Sequence, residues 1–423
     1  MLLKLYFRHC LFILLFAIIP SFVSAAVAQS LPKKQSVDTD LLVRWLNRSI
    51  ETHPQVLAAR AALDAANYRT VAADKALYNP ELELDAENAE TRVRSIGLSQ
   101  KIDWGDIRGA RTKMAAAQKL AARFKLESIR RDVAAKLLDA LAEYHTDSSL
   151  KALAGQTKQL MQRFAKLAKR RFEAGDISQV EVDLANLAYA QASFKLADAM
   201  TQLAHARQNL IILTGTGNAP LPDFISSFPD PQASQQNIEQ TIQQLPQIQS
   251  LLARIAASRQ KVNVRRGEAT AKPTIAIRAG NENQDSLLGV SLSIPLQVRN
   301  NFNAEVDVAN AQMIQLEAES QASFRKLKAR LNIARLSYAV SRRAWLAWQA
   351  SAAGSLNRQI TLLERLWKAG ELSTTDYLVQ LKQALETRAS AIQQRGQMWT
   401  NWSAWLLASG KIKHWLQTST NKE

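Results

Sequence analysis

Cysteine is almost absent from this chain of 423 residues. The one cysteine, Cys10, lies in an apolar N-terminal run that we expect to be removed. The mature chain would then have no disulfide scaffold, no thiolate metal site and no cysteine nucleophile. Glycine (14 residues) and proline (11 residues) are also scarce. Because both residues interrupt regular structure, their scarcity favours long, uninterrupted helices.

Long apolar runs are missing as well, apart from one near the N-terminus. Lys4 and Arg8 precede the apolar run 11–19, and small residues up to Ala28 follow it. A charged start, an apolar run too short to cross a bilayer and an A-x-A site are typical of a secretory signal peptide. We therefore predict a signal peptide at residues 1–28, with a membrane anchor as the alternative.

No residue pattern typical of an enzyme or of a metal site occurs in the sequence. There is no Gly-rich phosphate loop and no nucleophile elbow. The net charge is +17, but Lys and Arg are interleaved with Asp and Glu, which favours solvated helix faces over nucleic-acid binding. We predict no enzymatic activity, no cofactor, no metal site and no nucleic-acid partner. Four histidines of the mature chain lack metal-ligand spacing: His53, His145, His205 and His414.

The chain contains two copies of one pattern, offset by 192 to 195 residues. Asn79-Pro80 matches Lys272-Pro273, and the segment 171–178 matches 366–373. Several prolines between the copies mark a linker. We predict a first structural repeat at 29–215, an inter-repeat linker at 216–236, a second structural repeat at 237–410 and a C-terminal tail at 411–423.

Each copy reads as a helical segment, two strands, a very long helix, a turn and a returning helix. Within 126–144 the apolar residues step by three or four, which is one stripe of an amphipathic helix. A helix from Arg108 to Ala174 would span ~100 Å at ~1.5 Å per residue, and a second from Ala304 to Ala369 would be similar. No compact globule buries such helices, so we expect coiled-coil-like hairpins in an extended bundle.

Four segments alternate between apolar and polar residues, as half-buried strands do. Segments of about ten residues with one apolar face suit tilted strands that cross a bilayer, although a soluble sheet would look similar locally. The predicted lipid-facing residues are Leu82, Leu84, Ile96, Leu98, Ile275, Ile277, Val290, Leu292 and Ile294. The predicted residues of the barrel lumen are Glu81, Glu83, Asp85, Glu87 and Arg278.

Four strands cannot close a membrane barrel, since the smallest barrels use about eight and an open edge in lipid leaves backbone groups unsatisfied. The protein must therefore oligomerise, and a trimer leaves an open lumen more readily than a dimer. We predict a mainly α fold with a small transmembrane β part. Long α-helical coiled-coil hairpins and two β-hairpins per protomer would trimerise into a 12-stranded β-barrel and an α-helical tunnel.

Three motifs occur in order along the mature chain. They are YNPELEL at 78–84, GLSQ at 97–100 and GVSLSIPL at 289–296. Their order, duplication and spacing resemble the TolC family of outer-membrane efflux and secretion channels, and within it the CzcC-type components of heavy-metal cation efflux systems. The resemblance implies a homotrimer in the outer membrane with a large periplasmic portion. It also implies a periplasmic adaptor (membrane fusion) protein and an inner-membrane resistance-nodulation-division pump as partners.

The resemblance assigns roles to the turns between the long helices, which dock the adaptor in this family. The tip residues here are Arg171, Phe172, Gly175, Ser178, Leu366, Trp367, Gly370 and Ser373. The glycines and serines also suit ordinary helix caps, and both interpretations can hold together. Asp376 and its repeat mate Glu181 match the tunnel constriction, where a ring of carboxylates would favour cations. A solvated carboxylate at a helix start is the alternative.

Other functions stay open at this stage. Within the channel class, the cargo could be a drug or a secreted polypeptide instead of a metal cation. Outside it, a soluble periplasmic helical scaffold should lack apolar strand faces, and a helical periplasmic enzyme should carry a polar cluster on facing helices. The strand faces argue against the scaffold.

Overall fold

The computed structural model describes residues 34–88, 90, 92–216, 220–225, 228–230, 237–351 and 353–418. The predicted signal peptide lies outside the described residues. The first half contains α1 (Lys34–Thr52), α2 (Pro54–Ala73), β1 (Glu81–Asn88), β2 (Arg92–Lys101), α3 (Ile107–Glu173) and α4 (Gln179–Thr214). The second half contains α5 (Ile238–Gln243), α6 (Pro246–Glu268), β3 (Thr274–Glu282), β4 (Asp285–Ser293), α7 (Asn303–Ser351), α8 (Ala353–Lys368), α9 (Thr374–Ala408) and α10 (Ile412–Thr418). The prediction of a mainly α fold with a small β part is confirmed.

Proline sets the same helix start in both halves. His53 is the N-cap of α2, and its Nδ1 accepts a hydrogen bond from the backbone N–H of Gln55 at 3.2 Å. Leu245 takes the equivalent position before α6, and Pro54 and Pro246 are the first helical residues. Proline suits that position because its missing N–H would have no partner there and its φ is already helical.

The long helices follow the predicted spans closely. α3 has 67 residues, a length of ~100 Å, and its bounds differ from the prediction by one residue at each end. In the second half, α7 and α8 lie on either side of position 352, which is outside the described residues. Together they cover the predicted second long helix.

Helix α3 is the central element of the protomer. It packs against α2 and α6, against α4 and against α9. Next to the sheet the helices are arranged in the order α2–α3–α6–α7, which is also the order of the strands β1–β2–β3–β4. Each of these helices therefore lies beyond the end of the strand that it is connected to, α2 beyond β1, α3 beyond β2, α6 beyond β3 and α7 beyond β4. Among the described helices, none is long and apolar enough to cross a membrane.

The largest core lies midway along α3, and we call it the middle core. Trp399, Trp402 and Trp405 of α9 are 0–6% exposed there and pack on buried residues of α1 and α3. These tryptophans are therefore packing residues of the middle core. A second core joins the two tips, and a small one around Ile107 and Val264 lies next to the sheet.

The inter-repeat segment wraps the middle core. The ring of Phe224 lies 4.5 Å from that of Trp399, and His145 Nε2 is 2.9 Å from the carbonyl oxygen of Pro222. On the other side, the hydroxyl of Tyr338 donates to a backbone carbonyl at 2.6 Å, that of Pro229. The described residues of the segment are thus held by α3, α7 and α9.

Candidate functional site

The four strands form one antiparallel sheet that is continuous across both repeats. Leu98 lies opposite Leu82 on one side and opposite Ile277 on the other, and Ile277 lies opposite Val290. Because side chains alternate along a strand, this register gathers the apolar residues of all four strands on one face. The nine predicted lipid-facing side chains are between 44% (Ile275) and 75% (Val290) exposed.

The opposite sheet face carries the predicted lumen charges. Glu83 of β1 lies in one cross-strand row with Gly97 of β2 and Arg278 of β3. The hydroxyl of Ser95 donates to Asp85 Oδ2 at 3.2 Å on the same face. The two faces are separated as the alternation predicts, while their contact with lipid and with water stays a prediction. The other predicted residues of this face are Glu81 and Glu87.

The two tip turns share one backbone conformation. Gly175 and Gly370 have φ angles of +81° and +79°, in the left-handed region that glycine adopts at little cost. In each turn, the N–H after the glycine donates to the carbonyl five residues earlier, at 2.8 and 3.0 Å. This is the Schellman motif that ends helices. Ser178 and Ser373 then cap α4 and α9, so the helix-cap interpretation is confirmed.

Side chains make the two tips different. Trp367 is 2% exposed, and its ring packs 4.4 Å from Phe164 and 5.2 Å from Tyr377. Arg171 of the other tip lies over the Trp367 ring, with its guanidinium carbon 5.7 Å from the ring centroid. Phe172 is 41% exposed. The assignment of Trp367 to a docking surface therefore needs correction, because its ring belongs to the core that joins the tips.

Glu181 and Asp376 lie at equivalent positions in the first turns of α4 and α9. Glu181 Oε2 accepts from the N–H of Ser178 at 2.9 Å and from its hydroxyl at 3.1 Å. The backbone bond from Ser178, followed by a bond from the Thr374 hydroxyl, lowers the pKa of Glu181. The hydroxyl of Ser373 donates to Asp376 Oδ2 at 2.7 Å. Both carboxylates thus act in helix caps, and the constriction ring stays a prediction.

An apolar groove of about 970 Å³ runs between α3, α4 and α9. The ion pair between Lys195 and Glu386 links α4 to α9 beside it, at 3.8 Å. Sequence reasoning missed this groove, because the groove depends on which helices become neighbours. Apolar residues that line it include Leu153, Leu187, Phe194, Leu378 and Val379.

A buried carboxylate lies where α3 meets α9. Asp139 Oδ1 has no hydrogen-bond partner, and burial raises the pKa of Asp139 to about 6, although a bond with Ser403 opposes the shift. The side chain borders a separate cavity of about 650 Å³. Sequence reasoning missed Asp139 as well. Within the part of the chain that the structure describes, no three potential metal ligands come together.

Comparison with known proteins finds the chain similar to efflux proteins. A family model described as outer membrane efflux protein matches residues 45–216. The cobalt-zinc-cadmium resistance protein CzcC of Cupriavidus metallidurans (strain ATCC 43123 / DSM 2839 / NBRC 102507 / CH34) is 26% identical over 255 residues. This match covers 57% of the chain and 60% of CzcC, so the chain spans less than two thirds of that relative.

Solved structures share the fold at low identity. The crystal structures of CusC concern the conformational changes that accompany folding and transmembrane channel formation. CusC is 14% identical to this chain with a TM-score of 0.73, and the match covers 88% of this chain and 92% of CusC. The CmeC outer membrane channel of Campylobacter jejuni is 13% identical with a TM-score of 0.74, covering 93% and 92%. Family model, relative and fold agree: the chain is similar to outer membrane efflux proteins over part of its sequence and shares the fold of the solved outer-membrane channels.

Proposed function

We propose that the chain is one protomer of a trimeric exit duct in the outer membrane, which exports heavy-metal cations. One observation carries this proposal: a four-stranded sheet exposes a continuous apolar face and is joined directly to helices of up to 67 residues. A soluble protein rarely leaves so large an apolar face uncovered. Lipid would cover it, and the polar face would line water.

The sheet of one protomer is open at both edges, and this supports the trimer. β1 and β4 are the two edges of the sheet, and unpaired edges are not tolerated in lipid. Next to the sheet, the edge helices are also apolar on their exposed sides, at Tyr68 (75% exposed) on α2 and at Val308 and Ile314 (56% and 61%) on α7. Copies that join β1 to β4 would pack α2 on α7, and three copies would supply twelve strands.

The helical body would extend into the periplasm and meet its partners at the tips. The two structural repeats, at 29–215 and 237–410, each supply one tip. Phe172 and the half-buried Arg171 and Leu366 offer a surface there, and we propose that a periplasmic adaptor docks on it. The adaptor would connect the duct to an inner-membrane pump of the resistance-nodulation-division type. Ser178 and Ser373, with the tip glycines, would fix the shape of this surface.

The cargo is proposed from the relative CzcC, which is named for resistance to cobalt, zinc and cadmium. Glu81, Glu83, Asp85 and Glu87 on the polar sheet face and Asp376 at the tip would favour cations. A wide, water-filled pore discriminates weakly, so the pump would set most of the selectivity. Multidrug efflux or type I secretion is the second candidate.

Deleting the gene and measuring growth on metals and on drugs tests the proposal. We expect lower tolerance to zinc, cadmium or cobalt, restored by the wild-type chain. Two full-length variants sharpen the test: Phe172→Ala should restore tolerance incompletely, while Phe194→Ala, an exposed phenylalanine away from the tip, serves as the matched control. Crosslinking in cells should give a trimer in every case.

Two outcomes would contradict the proposal. Unchanged tolerance to zinc, cadmium, cobalt, nickel, copper and silver, with a loss of drug tolerance, would favour the multidrug duct. A monomer in the soluble periplasmic fraction would remove the duct altogether and favour a scaffold.

A further inference from the structure

The four helix–strand junctions share a feature that an exit duct does not require. Each carries an exposed Lys or Arg: Lys75 between α2 and β1, Arg108 at the start of α3, Arg266 near the end of α6 and Arg299 between β4 and α7. The helices and strands have the same order across the protomer. These four residues therefore form a band along one end of the sheet, which we call the junction band.

Some of the nearby carboxylates are committed to other bonds, while Asp106, Glu305 and Asp307 are exposed. Asp103 accepts the first two backbone N–H groups of α3 at 3.0 and 2.9 Å, and Glu268 pairs with Arg265 at 2.5 Å. Asp74 is 3.4 Å from Arg108, but both side chains are more than half exposed, and such pairs contribute little. Within the described part of the chain, no ion pair involves Lys75, Arg266 or Arg299.

The junction band follows directly on the apolar sheet face. Trp104, between β2 and α3, is 69% exposed, and Leu296 and Val298, between β4 and α7, are 80% and 87% exposed. From the sheet towards the helices, the exposed surface thus changes from aliphatic residues through an indole ring to cations. This is the order of a membrane–water interface, where hydrocarbon gives way to amphipathic rings and then to charged headgroups.

We propose that the junction band binds the phosphate headgroups of anionic phospholipids in the periplasmic leaflet of the membrane. The inference rests on the proposed outer-membrane position of the sheet. Three protomers would carry a ring of such cations around the duct, directly below the hydrocarbon. The ring would fix the depth of the barrel in the bilayer and would retain anionic lipid. Basic residues from Lys119 onward in α3 lie ~16 Å or more beyond Arg108 at ~1.5 Å per residue, too far to contribute, because screening limits the attraction to ~8 Å at physiological salt.

Native mass spectrometry of the full-length protein in detergent tests the proposal, with phosphatidylglycerol and phosphatidylcholine as the added lipids. The wild type should retain the anionic lipid more than the neutral one, and high salt should remove the difference. Each neutralised residue should weaken phosphatidylglycerol retention by about fivefold, which corresponds to ~1 kcal/mol per basic residue. The band variant is Lys75→Gln, Arg266→Gln and Arg299→Gln. The matched control, with three exposed basic residues near the tip, is Arg163→Gln, Lys166→Gln and Arg170→Gln.

Several results would overturn the inference. Equal retention of the two lipids by the wild type would do so. Equal loss of phosphatidylglycerol retention in the band variant and in the tip control would also do so. Complete displacement of phosphatidylglycerol by an equal concentration of inorganic phosphate would assign the site to free phosphate instead. Insertion into neutral phosphatidylcholine vesicles tests the proposed duct separately. A protein that inserts and conducts there without preferring anionic lipid would leave the duct intact and remove only this inference.

Discussion

Replacing Asp139 by Asn should stabilise the helical body, and the gain should increase with pH. Burial raises the pKa of this carboxyl from 3.8 to about 6, and Oδ1 has no hydrogen-bond partner. The folded protein therefore binds the proton more tightly than the unfolded chain. Stability from this group is highest below the ordinary pKa and is lost as the pH rises through about 6. A rise of the pKa from 3.8 to about 6 corresponds to about 3 kcal/mol for each protomer.

The surroundings of Asp139 offer no net positive charge that would offset this cost. The cavity beside it is lined by Asn209 from α4 and by Gln397 and Thr400 from α9, all of them uncharged. α3 itself contributes one cation, Lys136, and two further carboxyl groups, Glu143 and Asp147. Asn would keep the shape of the side chain but leave part of its amide unpaired, so we expect a gain of about 1–3 kcal/mol at pH 8.

Denaturant unfolding followed by far-ultraviolet circular dichroism at pH 5, 6, 7 and 8 would measure the effect. The advantage of Asp139→Asn over the wild type should increase by roughly 1–1.5 kcal/mol between pH 5 and pH 8, since part of the cost is already present at pH 5. Asp64→Asn, on the exposed side of α2, is the matched control and should show no such trend. An advantage that is independent of pH would refute the assignment of the cost to the Asp139 charge.

Four further predictions concern the sheet, the middle core and the tips. Val290→Arg on the apolar face should cost about 2–4 kcal/mol in lipid and block insertion, whereas Ser291→Arg on the polar face should insert, as outer-membrane fractionation would show. Trp402→Ala should cost about 3–5 kcal/mol and lower the melting temperature of the oligomer, and an unchanged melting temperature would contradict its place in the middle core. Arg171→Ala should reduce crosslinking to the adaptor while the circular dichroism spectrum stays that of the wild type. Asp376→Asn should lower the cation-over-anion permeability ratio in planar bilayers, and an unchanged ratio would remove the constriction ring.

The features that the sequence predicted correctly depend on short-range periodicity. The stripe of apolar residues in 126–144 specifies a helix whatever packs on it, and α3 ends within one residue of the prediction at Ala174. Alternation likewise separates the two sheet faces, because the side chain of a strand residue points to the side opposite its neighbours. The tip turns were equally predictable, since Gly175 must adopt a positive φ for the Schellman motif.

The features that the sequence did not predict depend on which helices become neighbours. Trp367 looks like an exposed tip residue in sequence, yet Phe164 of α3 and Tyr377 of α9 enclose it. Asp139 follows Leu137 and Leu138 in α3, and only the approach of α9 buries its carboxylate and leaves Oδ1 without a hydrogen-bond partner. A sequence shows which face of each helix is apolar, but it does not show which other helix will pack on that face.

Duplication explains why the two tips can share a backbone and still differ in role. The Schellman turn and the serine caps are needed to reverse the chain in either copy, so they are kept at both tips. The side chains around them have diverged: Phe172 is 41% exposed, while its repeat mate Trp367 is 2% exposed. Arg171 of the first tip covers the Trp367 ring of the second, and the mate of Arg171 is Leu366, which offers no charge in return. A docking partner of the proposed trimer would therefore meet two kinds of tip in alternation, not six equal ones.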